Sequence, residues 1–379
     1  MLKSVKKLKN IKGKIVILRL DLNVPLEGGT NKKIKDDFRL LRPIPTIKLL
    51  SQKGAKVIII GHLGKDGSGS LKPIADYFKK SLDVGFLPKM AFPEIRKISG
   101  EIKNGSAVIL ENLRAWEGEK KNDKSFSKEL ASLGDIYVND AFSASHRPHA
   151  SIVGIPKFLP SYAGILFEEE VKNLSKALKP PKQFLFILGG AKFSTKIPLV
   201  RKYLKIAENI FIGGALANNF FKELGFEIGK SVTEKGLNIK DLVKNKKIFL
   251  PVDAVVKNNR GNVSIKNLNE VLPKDFILDA GPQSVQLLKK LAAKSKFVLW
   301  NGPLGYYEDG FSKGTEDFLK SLSKMKTKSI VGGGDTVTLV SKLDLDKKFS
   351  FVSTGGGAMI EFLAKGTLPG IEALKKSKK

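Results

Sequence analysis

The chain contains no cysteine. That excludes disulfides, a thiolate nucleophile and thiolate metal sites, and it fits a reducing compartment. Histidine is nearly as scarce, with three residues, His62, His146 and His149. None takes part in a helical His-Glu-x-x-His pattern, so a metal centre built on histidine is disfavoured. No apolar run approaches the ~18 residues that cross a bilayer, and stretches such as Phe184 to Leu188 stop at glycine. Behind the basic N-terminal segment, the apolar residues Ile15 to Leu18 are interrupted at Arg19 and Asp21, too soon for a signal peptide. The expectation is a cytoplasmic protein with no membrane partner.

The common nucleotide signatures are also missing. Gly225-Phe226-Glu227-Ile228-Gly229-Lys230-Ser231 comes near a phosphate-binding P-loop, but its first glycine stands one residue too close, and it reads as chance. There is no G-x-G-x-x-G fingerprint and no His-Arg-Asp with Asp-Phe-Gly pair of protein kinases. Acidic residues are outnumbered, 37 against 67 Lys and Arg, for a formal charge of +30. The lysines are spread along the chain without interleaved aromatics, so they read as a solvated surface rather than a nucleic-acid groove. A nucleic-acid partner is disfavoured, and steering of phosphate compounds is the other use of such a field.

What is present is a repeated pattern. The 379 residues, 42% of them hydrophobic, are enough for two domains with proper cores. Short β-branched runs alternate with amphipathic, lysine-rich stretches, the pattern of parallel sheets covered on both faces. The runs are Ile15–Leu20, Val57–Ile60, Ala107–Leu110, Ile136–Val138, Phe184–Leu188, Ile210–Ile212, Ile248–Leu250, Phe297–Trp300, Ser329–Val331 and Phe351–Ser353. Ligands of open α/β sheets bind beyond the carboxyl ends of the strands, so the loops after these runs are the places to look.

Those loops divide in two. Loops before about residue 155 carry all three histidines with Arg39, Arg114 and Arg147, donors that suit a small polyanion. Loops after about residue 185 are glycine-rich, and such turns offer backbone N–H groups and helix N-termini to phosphates. Gly332-Gly333-Gly334-Asp335-Thr336 is the clearest, with Asp335 placed either as a helix cap or to reach a metal-bound phosphate. Between the sets, Phe167 to Lys179 reads as a charged helix stopped by Pro180-Pro181, a connector.

Taken together these segments resemble phosphoglycerate kinase, from Arg19 to about Gly370. The resemblance is carried by Arg19-Leu-Asp-Leu-Asn-Val-Pro25, Asp36-Asp37-Phe38-Arg39, His62-Leu63-Gly64, Glu111-Asn112-Leu113-Arg114, Val138-Asn-Asp-Ala-Phe142 with His146-Arg147, and Leu188-Gly-Gly-Ala-Lys192 with Ser194-Thr195-Lys196. It continues through Leu250-Pro-Val-Asp253, Trp300-Asn-Gly-Pro303, Gly332 to Thr336 and Ser353-Thr-Gly-Gly-Gly-Ala358. It implies two doubly wound α/β domains with parallel sheets, joined by a hinge helix across a cleft. The first domain would comprise residues 1–165, with the segment 362–379 returning to it and Gly366 to Gly370 at the joint. Residues 166–180 would be the connecting helix and 181–361 the nucleotide domain.

The resemblance further implies a monomeric enzyme that passes a phosphoryl group between 1,3-bisphosphoglycerate and ADP, giving 3-phosphoglycerate and ATP, with Mg²⁺. Asp21, Asn23, Arg39, His62, Lys65, Arg114 and Arg147 would hold the phosphoglycerate. Gly213, Gly214, Asn301, Pro303 and Glu308 would line the nucleotide slot. Lys192, Lys196, Gly332, Gly333, Gly334, Asp335 and Thr336 would serve its phosphates, with Asp335 at the metal and Arg39 and Lys192 as the catalytic pair. The chain departs from the family pattern in three places. Lys65-Asp66 replaces arginine and proline, Ala115-Trp116 replaces a single aromatic, and Ala215 stands where a third glycine is usual. Other acyl-phosphate-forming kinases, a polyanion-binding module and an inactive scaffold remain the competing readings. The number of arginines weighs against the first, and the retention of Arg39, Lys192 and Asp335 against the last.

Overall fold

The computed structural model describes residues 2–28 and 33–378. The chain divides into two compact units, Met1–Lys172 with Thr367–Lys379, and Asn173–Gly366. Both are α/β, each built on a six-stranded parallel sheet, as the alternation in the sequence predicts.

The sheet of the first unit contains β1 (Ile15–Arg19), β2 (Lys56–Ile60), β3 (Val84–Leu87), β4 (Ala107–Leu110), β5 (Ile136–Asn139) and β6 (Ser161–Ala163), in the order β3-β4-β2-β1-β5-β6. Val16, Ile17, Leu18 and Val57 to Ile60 are all fully buried. Helices on both faces exclude water from both sides of these strands, which is why they read as continuous apolar runs. The C-terminal helix Pro369–Lys375 is part of this unit, and Gly370 N–H donates to Ser145 C=O at 2.9 Å. A Cβ at Gly370 would meet the Ser145 side chain at 2.7 Å. The close approach explains a glycine inside a helix.

The second unit contains β7 (Phe184–Leu188), β8 (Asn209–Ile212), β9 (Ile248–Phe249), β13 (Phe297–Asn301), β14 (Lys328–Gly332) and β15 (Phe351–Val352), in the order β9-β8-β7-β13-β14-β15. Every residue of β7 and β13 is buried, as befits its central pair. A separate antiparallel sheet has β10 (Asp253–Lys257) between β11 (Val263–Asn267) and β12 (Phe276–Ala280). Ala254 and Val256 on one face pack with Ala217, Phe221 and Ile228.

Each of the ten runs read from the sequence overlaps a strand of the two parallel sheets. Two sheet strands escape that reading: β3 contains Gly85, and β6 is a three-residue Ser-Tyr-Ala segment. The antiparallel sheet escapes it too, since β11 is largely exposed and shows no buried stripe. Trp116, one of the departures from the family pattern, packs against Phe92 and Phe126 with ring centroids 6.3 and 6.4 Å away. That position serves an aromatic cluster under the loop.

The charged helix expected after Leu166 spans Ile165–Leu178 and carries the chain from one unit into the other. Its first turn is held by Asp140, the residue after β5, whose Oδ1 accepts from Phe167 N–H at 2.9 Å. Asp140 is 1% exposed, and burial pushes its carboxyl up to about 7. Between pH 4 and 7 the unfolded chain has released this proton and the folded protein retains it, so stability falls as pH rises through that window. Asp140→Asn is expected to flatten that fall, with a gain over wild type that grows to the order of 2–4 kcal/mol by pH 8. Urea unfolding at pH 5, 6.5 and 8 checks it; parallel profiles for the two proteins would contradict the account.

Candidate active site

In the first unit the chain starts at β1, builds outward through β2 to one side, then returns to place β5 on the other. The strand order therefore reverses between β1 and β5, so the loops that leave their carboxyl ends run to opposite sides with a gap between them, the place where open α/β sheets take ligands. Asp21 follows β1 and Ser143 follows β5; the Ser143 hydroxyl donates to Asp21 Oδ2 across that gap. Arg39 Nη1 donates to the same oxygen at 3.1 Å, and Asn23 N–H donates to Oδ1, also at 3.1 Å. Burial opposes charge on Asp21, but Arg39 and these hydrogen bonds outweigh it and hold the carboxyl down at about 2. Asp21 is thus an anion that aims a half-buried guanidinium.

Around this pair the other candidates are tied by the backbone. Asn23 Oδ1 accepts from Gly64 N–H at 2.9 Å, and Arg114 Nη1 donates to the carbonyls of Gly64 and Lys65 at 3.0 Å. Asn112 fixes the same loop, accepting from Leu63 N–H at 3.2 Å and donating to Leu63 C=O at 2.8 Å. His62 is 5% exposed. Burial, then the charges of Arg19, Arg114 and Arg147, push its imidazole down to about 3, despite Asp21. At neutral pH it is an uncharged ring. Lys65 and Arg147 are exposed, and Arg147 Nε donates to His146 Nε2 at 3.3 Å. The result is a cluster of cations with Asp21 and Glu119 as its buried counter-charges, a setting for a small ligand with several negative oxygens.

In the second unit the order reverses between β7 and β13. Their following loops cross so tightly that a Cβ at Gly189 would lie 2.1 Å from Pro303 O. Gly189 N–H donates to Asn301 C=O and Gly190 N–H to Pro303 C=O, each at 2.9 Å. Gly214, with φ of 60°, leads into the helix Ala215–Glu223, and Gly333, with φ of 101°, leads into Gly334–Lys342. Both put a helix N-terminus at this edge in a conformation that side-chain-bearing residues resist; in the first helix Leu216 N–H already donates to Gly190 C=O at 3.0 Å, tying the helix start to the crossing.

Beside the crossing lies a cleft of about 430 Å³, lined by Gly214, Pro303, Glu308 and Asp335 from the sequence reading, and by Ala215. Its walls are otherwise mainly apolar, with Phe221, Ile277, Leu278 and Leu304, suited to a flat ring. Lys196 Nζ donates to Gly189 C=O at 2.5 Å, and burial, then neighbouring Lys192, bring its ammonium down to about 8. Lys192 is exposed just ahead of the helix Phe193–Leu204. Asp335 is half-buried; burial, then Glu308, raise its carboxyl, and Lys196 opposes them. Gly213, Asn301, Gly332, Gly333, Gly334 and Thr336 lie outside the cleft lining. Asn301 Nδ2 is turned onto Met359 Sδ at 3.3 Å. Thr336 Oγ1 is buried, with no hydrogen bond among the described residues.

The near-P-loop at Gly225–Ser231 is occupied by its own side chain. Glu227 Oε1 accepts from Ile228 N–H at 2.9 Å and Gly229 N–H at 2.7 Å, the amides a phosphate would need. Among the described residues no group of three or more His, Asp or Glu side chains is set to hold a metal, and no helix is long and apolar enough to cross a membrane.

The family model for phosphoglycerate kinase matches residues 5–366. The chain belongs to the phosphoglycerate kinase family. Among curated relatives, phosphoglycerate kinase from Coprothermobacter proteolyticus is 42% identical, covering 96% of both chains. The enzyme from a Wolbachia of Drosophila simulans is also 42% identical, over 97% of each. Of solved structures, phosphoglycerate kinase from Coxiella burnetii covers 99% of both chains at a TM-score of 0.79 and 35% identity. That from Pyrococcus horikoshii OT3 covers 99% of this chain and 98% of its own at 0.87 and 30%. The chain is a kinase that carries phosphate to and from a carboxyl group, the glycolytic reaction of this family.

For a phosphoglycerate kinase, the sequence reading passes over several residues that shape these loops. Arg19, Glu119, Ser143 and Ser151 belong to the first cluster, and Phe276 to Asp279 of β12 wall the cleft in the second unit. Arg19 stands inside a family segment, so a signal was there. Glu119 lies among Glu117, Lys120 and Lys121 and looks like surface. The glycine crossing yields a direct test. Gly189→Ala must displace backbone and is expected to cost about 1–3 kcal/mol. At Gly334 a Cβ meets nothing within 4 Å, so Gly334→Ala is expected to stay within about 0.5 kcal/mol of wild type. Urea denaturation checks both, and equal effects would contradict the crossing.

Proposed function

We propose that the first unit holds 3-phosphoglycerate or its 1,3-bisphosphate and the second holds ADP or ATP, each in the crevice at its own strand reversal. The observation that carries the reading is the separation of chemistries. Guanidinium groups, Arg39 aimed by Asp21 and Arg114 by backbone carbonyls, gather in one unit, and an apolar cleft beside glycine-led helix N-termini lies in the other. Asp21, Asn23, Arg39, His62, Lys65, Arg114 and Arg147 serve the phosphoglycerate. A substrate with a phosphate at one end and a carboxylate at the other gives that many donors a use, which favours it over acetate, carbamate or aspartate.

Gly214, Pro303 and Glu308, with Gly213 and Asn301 behind them, take the base and ribose. Lys192, Lys196, Gly332, Gly333, Gly334 and Thr336 take the phosphates. Asp335 is suited to a nucleotide-bound Mg²⁺. Burial and Glu308 already make its charge costly, which a cation relieves, and a single carboxylate beside phosphate oxygens is the usual donor set. When bound, the ion neutralises charge on the nucleotide phosphates.

Transfer is direct. A β-phosphate oxygen of ADP attacks the acyl phosphorus of 1,3-bisphosphoglycerate, the phosphorus–carboxylate bond breaks, and the carboxylate leaves as 3-phosphoglycerate. Neither the nucleophile nor the leaving group needs a proton moved, which agrees with an uncharged His62 and no general base. Catalysis rests on alignment and on cations beside the transferring group, Arg39 from the first unit and Lys192 from the second. In this reading one phosphoryl group meets both through hinge bending at the helix Ile165–Leu178, with water expelled. Every residue invoked belongs to one chain, so a monomer suffices, and a chain without cysteine suits the cytoplasm.

Arg39→Ala is expected to lower kcat by at least about 100-fold with little change in the KM for ADP. Asp335→Ala is expected to raise the Mg²⁺ and nucleotide concentrations required. Steady-state kinetics in both directions checks the pair; slight, equal effects on both parameters would refute the roles.

A further inference from the structure

Behind the basic cluster lies a chain of buried polar groups that the transfer itself does not use. Arg19, at the end of β1, is completely buried, yet it has no carboxylate in direct contact. Its Nε donates to Ser151 Oγ at 3.0 Å, Nη1 donates to Leu20 C=O, and Nη2 meets His62 Nδ1 at 3.0 Å. Ser151 lies in the π-type turn Ala150–Gly154. Its hydroxyl donates to Glu119 Oε1 at 2.6 Å and its backbone N–H to Glu119 Oε2 at 2.9 Å. Glu119 is 1% exposed. Burial raises its carboxyl, and Arg19 is the leading charge that opposes this.

The direction of each proton follows from donor chemistry. Arg19 Nε–H donates to the Ser151 oxygen, so the Ser151 hydroxyl hydrogen is left for its other contact, Glu119 Oε1. A guanidinium only donates, so His62 Nδ1 must present its lone pair to Nη2. The ring hydrogen is then on Nε2, which has no hydrogen bond among the described residues. A charged His62 would set Nδ1–H against Arg19 N–H, with Arg114 and Arg147 adding repulsion that Asp21 alone would relieve.

We propose that Glu119 and Ser151 are positioning residues, acting through Arg19 to lock His62 as the neutral Nε2–H tautomer, a fixed donor for a carboxylate or phosphate oxygen of the substrate. The inference rests on the first unit being the phosphoglycerate unit. Glu119 supplies the counter-charge that lets Arg19 stay buried, and Ser151 relays it while fixing the guanidinium plane. His149, whose Nδ1 is 3.9 Å from Glu119 Oε1, borders the same carboxylate. Nothing in the chain of contacts touches the reacting phosphorus, so its effect falls on substrate binding.

The test is the ring ¹⁵N spectrum of His62 in the full-length, ligand-free protein at pH 7. Wild type is expected to show a pyridine-type Nδ1 and a pyrrole-type Nε2. Ser151→Ala and Glu119→Gln are expected to give mixed tautomers and a KM for 3-phosphoglycerate raised about tenfold, with the KM for Mg·ADP unchanged. Ser151→Thr, which keeps the hydroxyl, is expected to restore both. An Nδ1–H or imidazolium His62 in wild type overturns the proposal with no variant needed. So do folded variants whose His62 resonances match wild type. If the tautomer is as expected and 3-phosphoglycerate fails to shift Nε2, the substrate assignment falls and the lock stands.

Discussion

A parallel sheet sends the carboxyl end of every strand to one edge, and both halves of this molecule depend on that constraint. Six strands running one way leave six loops on the same rim, and a reversal of strand order parts two of them enough to admit a ligand. In the first unit the parted loops carry Asp21 and Ser143. In the second unit the loops at the reversal, the glycine-rich turns at Gly189 and Gly302, instead close on each other until no side chain fits, and the cleft lies beside them. One architecture thus offers two candidate sites whose chemistry is set largely by the residues at that rim.

Charge in the first unit is arranged by burial. Cations crowded at a protein surface repel one another, and side chains would swing into water to escape. Here Asp21 holds Arg39, backbone carbonyls hold Arg114, and the Glu119–Ser151 pair holds Arg19. Each of these donors is fixed without a ligand, so in the proposed role binding would order little and lose little entropy. The second unit achieves the same readiness with backbone. Its helix N-termini follow glycines at positive φ and need no side chain to aim them.

Much of this was legible in the sequence, for identifiable reasons. Strands buried on both faces must be apolar throughout, so runs such as Phe184–Leu188 declare themselves, and the loops after them carry the chemistry. Strands outside that regime were illegible. β3 is broken by Gly85, and β11 is mostly exposed. Of the residues that the resemblance implies, Asp21, Asn23, His62, Lys65 and Arg147 lie in loops beyond strand ends, whereas Arg39, Lys196, Asp335 and Thr336 lie in helices and Asn301 ends β13. Arg19 and Glu119 were not found, because a charged residue at a strand end or in a Glu- and Lys-rich helix looks the same in sequence whether solvated or buried. Their partners are 132 and 32 residues away along the chain, and only folding brings them together. The near-P-loop shows the opposite error avoided, since Glu227 fills the amides that the spacing seemed to offer.

The most direct measurement of the two-site account is an amide ¹H–¹⁵N titration of the intact chain with each ligand alone. 3-Phosphoglycerate is predicted to perturb the amides around Asn23, Arg39, His62 and Gly64 in the first unit. Mg·ADP is predicted to perturb those around Gly190, Gly214, Leu304 and Asp335 in the second. Perturbation of the same unit by both ligands, or of the glycine crossing by 3-phosphoglycerate alone, would contradict it.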